Sequence, residues 1–269
     1  FADNTGVADK IQKRLEAIDK QCSVIKRGSG FEKINETEFE IDPLDQEGTD
    51  KVIDLIAEKG NFQGIIFLWG LDSVGNDQLN IENIISAEDN SSITMMNIMR
   101  KLNDTNLDKN PEIWILFSGA QTVGGTPKTL NLSQTGLRGV SKVVLNEFPI
   151  FNTTLVDFSD PVKNDEIDAF IEEILANDNE DEIAYRGKKR YINRLERISP
   201  DNIAQRAMKT VPAEGSSYTT TITEYGVLDN LIIREITHRA PADDEVEIKI
   251  KAAALNFRDI MLAMGLLPD

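Results

Sequence analysis

The sequence has little of what several classes of protein require. Its 269 residues contain one cysteine and one histidine, which precludes an internal disulfide and argues against a zinc site built from these residues. The longest apolar run, residues 65–69, is far shorter than the roughly 20 residues that cross a bilayer. No charged segment followed by an apolar stretch opens the chain, so we expect no signal peptide. These absences predict a cytoplasmic protein.

Positive charge is also scarce. Lys and Arg number 29 against 46 Asp and Glu, which gives a formal net charge of −17. A chain this acidic repels a phosphate backbone unless basic residues are segregated in a patch. The densest basic stretch, residues 186–197, is short and interleaved with apolar residues. We therefore expect neither nucleic acid nor an anionic membrane surface as a partner.

The sequence does contain enough apolar residues for a globular core, at 40% hydrophobic against 28% charged. Its length allows one or two domains of about 100–200 residues each. Because it begins with Phe1 and ends at Asp269 directly after an apolar stretch, we expect a segment of a longer chain.

Residues 1–198 alternate between strand and helix patterns. The continuous apolar runs 65–69 and 113–117 predict strands that are buried on both faces. Shorter strands are predicted at 22–25 and 153–156. Apolar residues at helical spacing predict five helices: 7–20, 50–59, 91–102, 136–146 and 166–176. Thr49 is the predicted cap of the second helix, and Ser91 or Ser92 that of the third. The alternation predicts an α/β fold, a truncated Rossmann-like, doubly wound parallel sheet covered by helices.

The pattern changes near residue 198. Residues 199–217 contain prolines and glycine with little periodicity and are interpreted as a linker. Residues 218–269 are β-rich, with strands expected from 219, at 228–236 and at 246–250, and a turn at Asp243 and Asp244.

In a sheet of this class, the turn before the first helix can hold a dinucleotide, because a glycine-rich loop lets backbone N–H groups approach the pyrophosphate. Residues 3–9 keep one glycine of the expected three, and they add Asp3 and Asp9, whose charges oppose a phosphate. Gly28 and Gly30 follow the next strand without a third glycine. We expect a degenerate turn that only shapes the fold.

A short-chain reductase needs a serine after a central strand and a Tyr-x-x-x-Lys pair on a helix, where the lysine lowers the pKa of the tyrosine. Ser118 stands at a predicted strand end, but no tyrosine follows it before Tyr185. Tyr185 and Lys189 have the required spacing, yet Gly187 lies between them and their flanks are strand-like. We interpret this match as a false positive.

The remaining reactive groups indicate no site. His238 is interpreted as a surface-loop residue, and Cys22 as buried and inert. The acidic stretch 160–182 is interpreted as mostly the solvent face of a helix, because it lacks the glycine-centred spacing of a calcium loop. We expect no bound metal.

Four segments of residues 1–198 together resemble the structural half of modular polyketide synthase ketoreductases. The matching segments are 67–72 (FLWGLD), 114–121 (WILFSGAQ), 136–149 (GLRGVSKVVLNEFP) and 183–195 (IAYRGKKRYINRL). They occur in order and at the proper spacing. The resemblance implies a truncated Rossmann fold that has lost cofactor binding and braces the catalytic half of the ketoreductase.

The second unit resembles the start of a polyketide synthase enoylreductase, a β-rich, GroES-like medium-chain reductase. The matching segments are 225–231 (YGVLDNL), 241–247 (PADDEVE) and 252–260 (AAALNFRDI). In fully reducing modules this domain is inserted between the two ketoreductase halves. The resemblance thus implies a structural subdomain at 1–198, a linker at 199–217 and an incomplete enoylreductase at 218–269.

In this family the Asn-Phe-Arg-Asp loop lies close to the nicotinamide of NADPH and to the enoyl thioester. The resemblance implies cofactor-binding roles for Asn256, Phe257 and Arg258, and hydride transfer without zinc, since the motif offers no cysteine ligand. The alternative is an ion pair between Arg258 and Asp259 that shapes the loop. Leu267 stands where many relatives have a tyrosine proposed to protonate the α-carbon, so another group or water would have to do so.

The resemblance also implies partners. The parent protein would use NADPH to reduce β-keto and enoyl thioesters held on the phosphopantetheine of an acyl carrier protein. The implied partners are this carrier protein, the catalytic ketoreductase half and the rest of the enoylreductase, in a homodimeric parent. The segment by itself is expected to be inactive.

Two other hypotheses stay open at this point. One is an autonomous, quinone-reductase-like medium-chain oxidoreductase with an unusual N-terminal α/β domain. The other is an acidic interaction module without catalytic activity. The sequence that follows residue 269 would distinguish the first of these from a synthase segment.

Overall fold

In a computed structural model, the chain forms two compact units, Phe1–Leu195 and Glu196–Asp269. The structure describes the following residues: 1–60, 62–124, 130–176, 178–195, 197, 217–222, 225–226, 231–237, 239–248, 250, 252 and 254–266. The predicted linker at 199–217 lies outside these ranges except for its last residue.

A five-stranded sheet forms the centre of the first unit, in the order β4-β5-β6-β7-β8. Its strands are β4 (Gly64–Phe67), β5 (Glu112–Ser118), β6 (Thr153–Phe158), β7 (Glu182–Arg186) and β8 (Lys189–Ile192). The first four are parallel, and β8 returns antiparallel to β7. Every residue of β6 is buried, as expected for a parallel strand that helices cover on both faces of the sheet. The predicted parallel sheet is confirmed.

A second, three-stranded sheet extends this layer. It contains β1 (Val24–Arg27), β2 (Glu32–Lys33) and β3 (Glu38–Ile41), with β1 parallel to β3. Residues 1–3 join the two sheets: the N–H of Ala2 donates to the carbonyl of Ile25 at 2.8 Å, and the N–H of Leu68 donates to the carbonyl of Phe1 at 3.0 Å. The connection orders the layer as a Rossmann-like, doubly wound sheet.

Helices cover both faces of this layer. They are α1 (Val7–Glu16), α2 (Gln46–Glu58), α3 (Ile81–Ala87), α4 (Thr94–Asp104), α5 (Thr135–Glu147) and α6 (Asn164–Ala176). One core cluster packs the inner sides of α2, α4 and α5 around Phe67 and Phe117. The other packs α1 and α6 against the opposite face, around Leu116 and Phe158. The two clusters account for the apolar runs that the sequence placed in the centre.

Two of the predicted helix caps are wrong. Helix α2 begins at Gln46, so Thr49 lies inside it, where its hydroxyl donates to the carbonyl of Asp45 at 3.1 Å. The third helix does not start at Ser91 or Ser92, because α3 and α4 are joined by a π-helical segment, Glu88–Ile93. Ser91 bonds the carbonyl of Ala87 one turn earlier, as serines inside helices do. The chain is therefore helical from residue 81 to residue 104.

In the second unit, β9 (Ser217–Ile222) and β10 (Leu231–Ile236) form an antiparallel hairpin. The turn at Asp243 and Asp244 is present. The strand predicted at 246–250 is not formed at the described residues of that range. A short helix that the sequence did not predict, α7 (Phe257–Ala263), follows it. Across the described residues of both units, every helix is too short or too polar to reach across a bilayer.

The fold depends on the absence of a side chain at Gly70, in a 3₁₀ turn (Trp69–Asp72) after β4. A methyl group at this position would lie 2.6 Å from Cδ2 of Leu137, which is 1% exposed in the core and has little space to move. Gly70→Ala should therefore destabilise the first unit by about 1–3 kcal/mol. Urea denaturation followed by tryptophan fluorescence measures this, because both tryptophans, Trp69 and Trp114, lie in that unit.

The matched control is Gly139→Ala in the exposed middle of α5, where a methyl group would meet no atom within 4 Å. Alanine favours a helix over glycine by about 1 kcal/mol, so this variant should be neutral or more stable. Equal losses of stability in the two variants would contradict the packing assigned to Gly70.

Candidate functional site

Ligands of open parallel sheets bind at the carboxyl ends of the strands. In this chain that edge is formed by the turn of residues 3–9, the ends of β1 and β4, Ser118 at the end of β5 and the loop after β6. Several of the described polar groups there bond to one another.

The carboxylate of Asp3 occupies the turn before α1. Its oxygens accept the backbone N–H groups of Thr5 at 2.9 Å, Val7 at 3.1 Å and Ala8 at 2.7 Å, and also the hydroxyl of Thr5. Asp3 is only 8% exposed. Gly6 supports the turn with φ +86°, a left-handed conformation that glycine adopts without strain.

This arrangement places an internal anion at the N-terminus of α1. The first N–H groups of a helix have no partner within the helix, and in dinucleotide-binding folds they bind a phosphate. Here the Asp3 carboxylate takes that place, so the turn does not fit a pyrophosphate. The sequence predicted that Asp3 would oppose a phosphate, but not that its carboxylate would bond the N–H groups that a phosphate requires. Asp9, by contrast, is exposed in the first turn of the helix.

The second glycine pair forms no phosphate-binding loop either. The N–H of Gly28 donates to the carbonyl of Ile41 at 2.8 Å, which ties the end of β1 to the end of β3. A methyl group at Gly28 would lie 2.9 Å from a carboxylate oxygen of Glu40. The absence of a side chain at Gly28 therefore allows the ends of β1 and β3 to lie close together.

The cation at the end of β1 is also engaged internally. Arg27 forms an ion pair with Asp72, and its guanidinium lies 5.7 Å from the centre of the Trp69 ring. The other oxygen of Asp72 accepts the N–H of Asn4 at 2.7 Å. Burial raises the pKa of Asp72, although Arg27 and Asn4 oppose this shift. An arginine near this place can receive the 2′-phosphate of NADP in working Rossmann folds; here it neutralises a carboxylate.

Ser118 has a structural set of partners. Its hydroxyl donates to the carbonyl of Ser159 at 3.0 Å, and its backbone N–H donates to Oε1 of Gln134 at 3.0 Å. Gln134 in turn donates from Nε2 to the carbonyl of Ser118 at 3.1 Å. Ser118 and Gln134 are both buried, so these bonds hold the end of β5 against the turn that precedes α5.

Tyr185 and Lys189 do not form a catalytic pair. They lie on the two strands of the β7–β8 hairpin, where Tyr185 is opposite Arg190. The phenol of Tyr185 is buried and donates to Glu173 at 2.6 Å. Burial, with the neighbouring carboxylate, raises its pKa above the ordinary value of 10.0, which is the opposite of what proton donation needs. The interpretation of this match as a false positive is confirmed.

Buried carboxylates are the feature that the sequence did not predict. Glu166 is fully buried and Glu173 is 6% exposed, so these two acids of the stretch 160–182 do not belong to its solvent face. Glu166 accepts the N–H of Gly187 at 2.7 Å, and Glu173 accepts two bonds from Arg190 at 2.6 and 2.8 Å. Together they hold the β7–β8 hairpin against α6.

A third buried carboxylate, Asp157, closes the edge beside β7. It accepts the N–H groups of Ala120 at 2.8 Å and Gln121 at 3.2 Å and forms an ion pair with Arg186. Burial raises the pKa of Asp157, and Arg186 opposes the shift. The partners lie up to 37 positions away in the sequence, which explains why no local motif revealed this site.

The predicted cofactor-binding residues of the second unit lie at the start of α7. The side chain of Asn256 accepts the N–H of Arg258 at 3.0 Å, and Asp259 accepts the N–H of Asn256 at 2.7 Å, which is a capping box. The side chains of Phe257 and Arg258 are exposed. Asp259 caps the helix through this bond, and the alternative of an Arg258–Asp259 ion pair is not seen between these two described residues.

Cys22 is half-buried, rather than buried as predicted, and burial raises the pKa of its thiol, in agreement with a weakly reactive residue. His238 and Leu267 lie outside the described residues. Within the described ranges, no group of three or more His, Cys, Asp or Glu side chains is arranged to hold a metal ion.

Asp3→Asn tests the role assigned to the buried carboxylate. The amide keeps the size of the side chain but removes its charge and one acceptor, so the first unit should lose about 1–2 kcal/mol of stability. Urea denaturation measures the loss. Asp9→Asn, an exposed change in the same turn, is the control and should stay within about 0.5 kcal/mol of the parent chain. If both changes are equally mild, Asp3 does not fix the turn.

Tyr185→Phe tests the buried phenol. Absorbance at 295 nm during an alkaline titration should show a tyrosine ionisation that occurs only when the chain unfolds, and the variant should lack that ionisation. Because the folded pKa is raised, the contribution of Tyr185 to stability is present below pH 10 and is lost as pH rises above it. The parent chain should therefore lose more stability above pH 10 than the variant does. If the ionisation that Tyr185→Phe removes occurs near pH 10 in the folded parent chain, the phenol is not buried as assigned.

Two polyketide synthases are among the relatives of this chain. A phenolphthiocerol/phthiocerol polyketide synthase of Mycobacterium tuberculosis is 36% identical over 169 residues, covering 60% of this chain and 8% of that protein. A mycocerosic acid synthase-like polyketide synthase of Mycolicibacterium smegmatis is 26% identical over 175 residues, covering 65% of this chain and 8% of its own length. The chain thus spans less than a tenth of the length of these relatives.

A solved structure shares the fold. A multidomain structure with adenylation, ketoreductase and pseudo-Asub domains from a keto acid-selecting NRPS module matches with a TM-score of 0.63 and 20% identity, covering 71% of this chain and 16% of that chain. A family model described as "Beta-ketoacyl synthase-like, N-terminal" matches residues 1–178. The chain therefore belongs to the Beta-ketoacyl synthase-like, N-terminal family, and polyketide synthases are among its relatives.

Proposed function

We propose that residues 1–198 are the noncatalytic structural half of a polyketide synthase ketoreductase, which braces a catalytic half elsewhere in the same protein. The observation that carries the proposal is the Asp3 carboxylate, which bonds the N–H groups of α1 that a dinucleotide would need. In a fold of the cofactor-binding class, a carboxylate of the chain at this position leaves the architecture intact and takes the place of the dinucleotide phosphate.

Three further contacts support this function. Arg27 is paired with Asp72, Ser118 bonds Gln134 and Ser159, and the phenol of Tyr185 is bonded to Glu173. Arg27 and Ser118 at this edge, and Tyr185 on β7, are each bonded to a neighbour from the same chain. The edge is therefore suited to holding its own loops in a fixed arrangement, which is what a bracing subdomain contributes to its partner.

For residues 218–269 we propose the start of an NADPH-dependent, zinc-independent enoylreductase that acts on thioesters carried by an acyl carrier protein. Asn256 would position the loop by capping α7, while the exposed side chains of Phe257 and Arg258 would lie near the nicotinamide. The rest of this domain, the catalytic ketoreductase half, and the carrier protein with its phosphopantetheine are the proposed partners. We propose a homodimeric parent, with NADPH held by the catalytic half and by the complete enoylreductase.

The bracing role can be tested by supplying the catalytic half separately. The ketoreductase catalytic half encoded in the parent protein is expressed alone and together with the 269-residue chain. NADPH oxidation is then followed with a β-keto thioester as substrate. We expect activity and soluble yield of the catalytic half only in the presence of the chain, and no saturable binding of NADPH to the chain alone by fluorescence titration.

Gly139→Ala and Gly70→Ala chains provide the comparison in this assay. The first should support the catalytic half as well as the parent chain does, and the second should support it less in proportion to its lost stability. Micromolar binding of NADPH to the chain alone, or full activity of the catalytic half without the chain, would overturn the proposal.

A further inference from the structure

A groove of about 380 Å³ lies between helix α3 and the loop that follows β3. We call it the α3 groove; the residues that line it include Asp42, Leu44, Glu82, Ile85 and Asp89. It is lined neither by the turn of residues 3–9 nor by Ser118 or Tyr185, and the proposed bracing function gives it no role.

The walls of the α3 groove are held in place by hydrogen bonds. The buried hydroxyl of Thr94, at the start of α4, donates to the carbonyl of Pro43 at 2.9 Å. The N–H of Leu44 donates to the carboxylate of Asp42 at 2.9 Å. The loop is therefore fixed to the same continuous helix that forms the opposite wall, so a partner need not order it on binding.

Apolar side chains are exposed inside and beside the groove. Leu44 and Ile85 are each 55% exposed, and Ile81 on the same short helix is 76% exposed. Single exposed apolar residues are common on protein surfaces, but several grouped along one groove are typical of an interaction site.

The rim of the groove carries charge of one sign. Asp42, Glu82 and Asp89 contribute three carboxylates, and no lysine or arginine lines the groove. No described cation forms an ion pair with any of the three. Glu82, Ile85 and Asp89 stand at positions i, i+3 and i+7 of one continuous helical segment, so they share the face that forms this wall.

We propose that the α3 groove docks a helical segment of a partner protein that presents an apolar stripe flanked by lysine or arginine. The apolar side chains would pack between Leu44 and Ile85, and the cations would pair with the rim. Complementary charge selects this partner, because a second copy docked symmetrically would set the three carboxylates against themselves. An anionic lipid surface is disfavoured for the same reason.

The probe is a fluorescein-labelled 14-residue helical peptide with leucines along one face and lysines elsewhere, and its comparator replaces every lysine with glutamate. Anisotropy titrations use the full 269-residue chain at 50 and 300 mM salt. We expect saturable binding of the lysine peptide, weakened by the higher salt, and no binding of the comparator.

Two matched pairs of variants locate the contact. Ile85→Ser should weaken binding about tenfold or more, while Leu175→Ser, at a similarly exposed leucine of α6, should leave it unchanged. The double change Glu82→Gln with Asp89→Gln should weaken binding about three- to tenfold at 50 mM salt and less at 300 mM. Its control is Glu147→Gln with Glu172→Gln, at exposed acids of α5 and α6.

The proposal is overturned if Ile85→Ser and Leu175→Ser bind the lysine peptide equally, or if the glutamate peptide binds as well. It is also overturned if sedimentation shows a dimer of the chain that Ile85→Ser abolishes, since the groove would then be an interface between copies. Thermal unfolding of each variant checks that its fold is intact. None of these readouts depends on NADPH or on the catalytic half, so the bracing function and the docking site can fail separately.

Discussion

The first unit depends on which group accepts hydrogen bonds from the backbone N–H groups at the N-terminus of α1. A helix that follows directly after a central segment of a parallel sheet directs unpaired N–H groups toward the edge where ligands bind. An anion, supplied by a ligand or by the chain itself, can accept their hydrogen bonds. In this chain Asp3 does so, through bonds to Thr5, Val7 and Ala8. The same short segment joins the two sheets, so one stretch of residues both completes the β-layer and fills the site.

Acidic side chains are paired in a similar way elsewhere in the first unit. Asp72 engages Arg27, Asp157 engages Arg186, and Glu173 engages both Tyr185 and Arg190. Buried charge is costly unless it is paired and hydrogen-bonded, and removing one partner of such a pair is strongly destabilising. These pairs therefore tie loops that are distant in sequence into one arrangement. Loops fixed in this way are consistent with the proposed bracing function.

The sequence predicted the layers of the fold better than the polar contacts. Continuous apolar runs such as residues 113–117 reveal a buried strand because every side chain must be apolar there. The caps at Thr49 and Ser91 were predicted wrongly, since a serine or threonine can also bond the preceding turn from inside a helix. The buried acids could not be predicted, because Glu166 and Glu173 occur among exposed acids and their partners come from a distant hairpin. The sequence showed that the charge of Asp3 would repel a phosphate. Only the structure shows that its carboxylate accepts the N–H groups at the start of α1.

The N–H groups of Val7 and Ala8 are already bonded by the chain itself. Amide hydrogen exchange measured by NMR, with and without 1 mM NADPH, tests this most directly. The account predicts that both amides are protected without any ligand, and that NADPH changes neither their exchange rates nor their chemical shifts. Rapid exchange in the free chain that NADPH slows would show an open phosphate site and contradict the account.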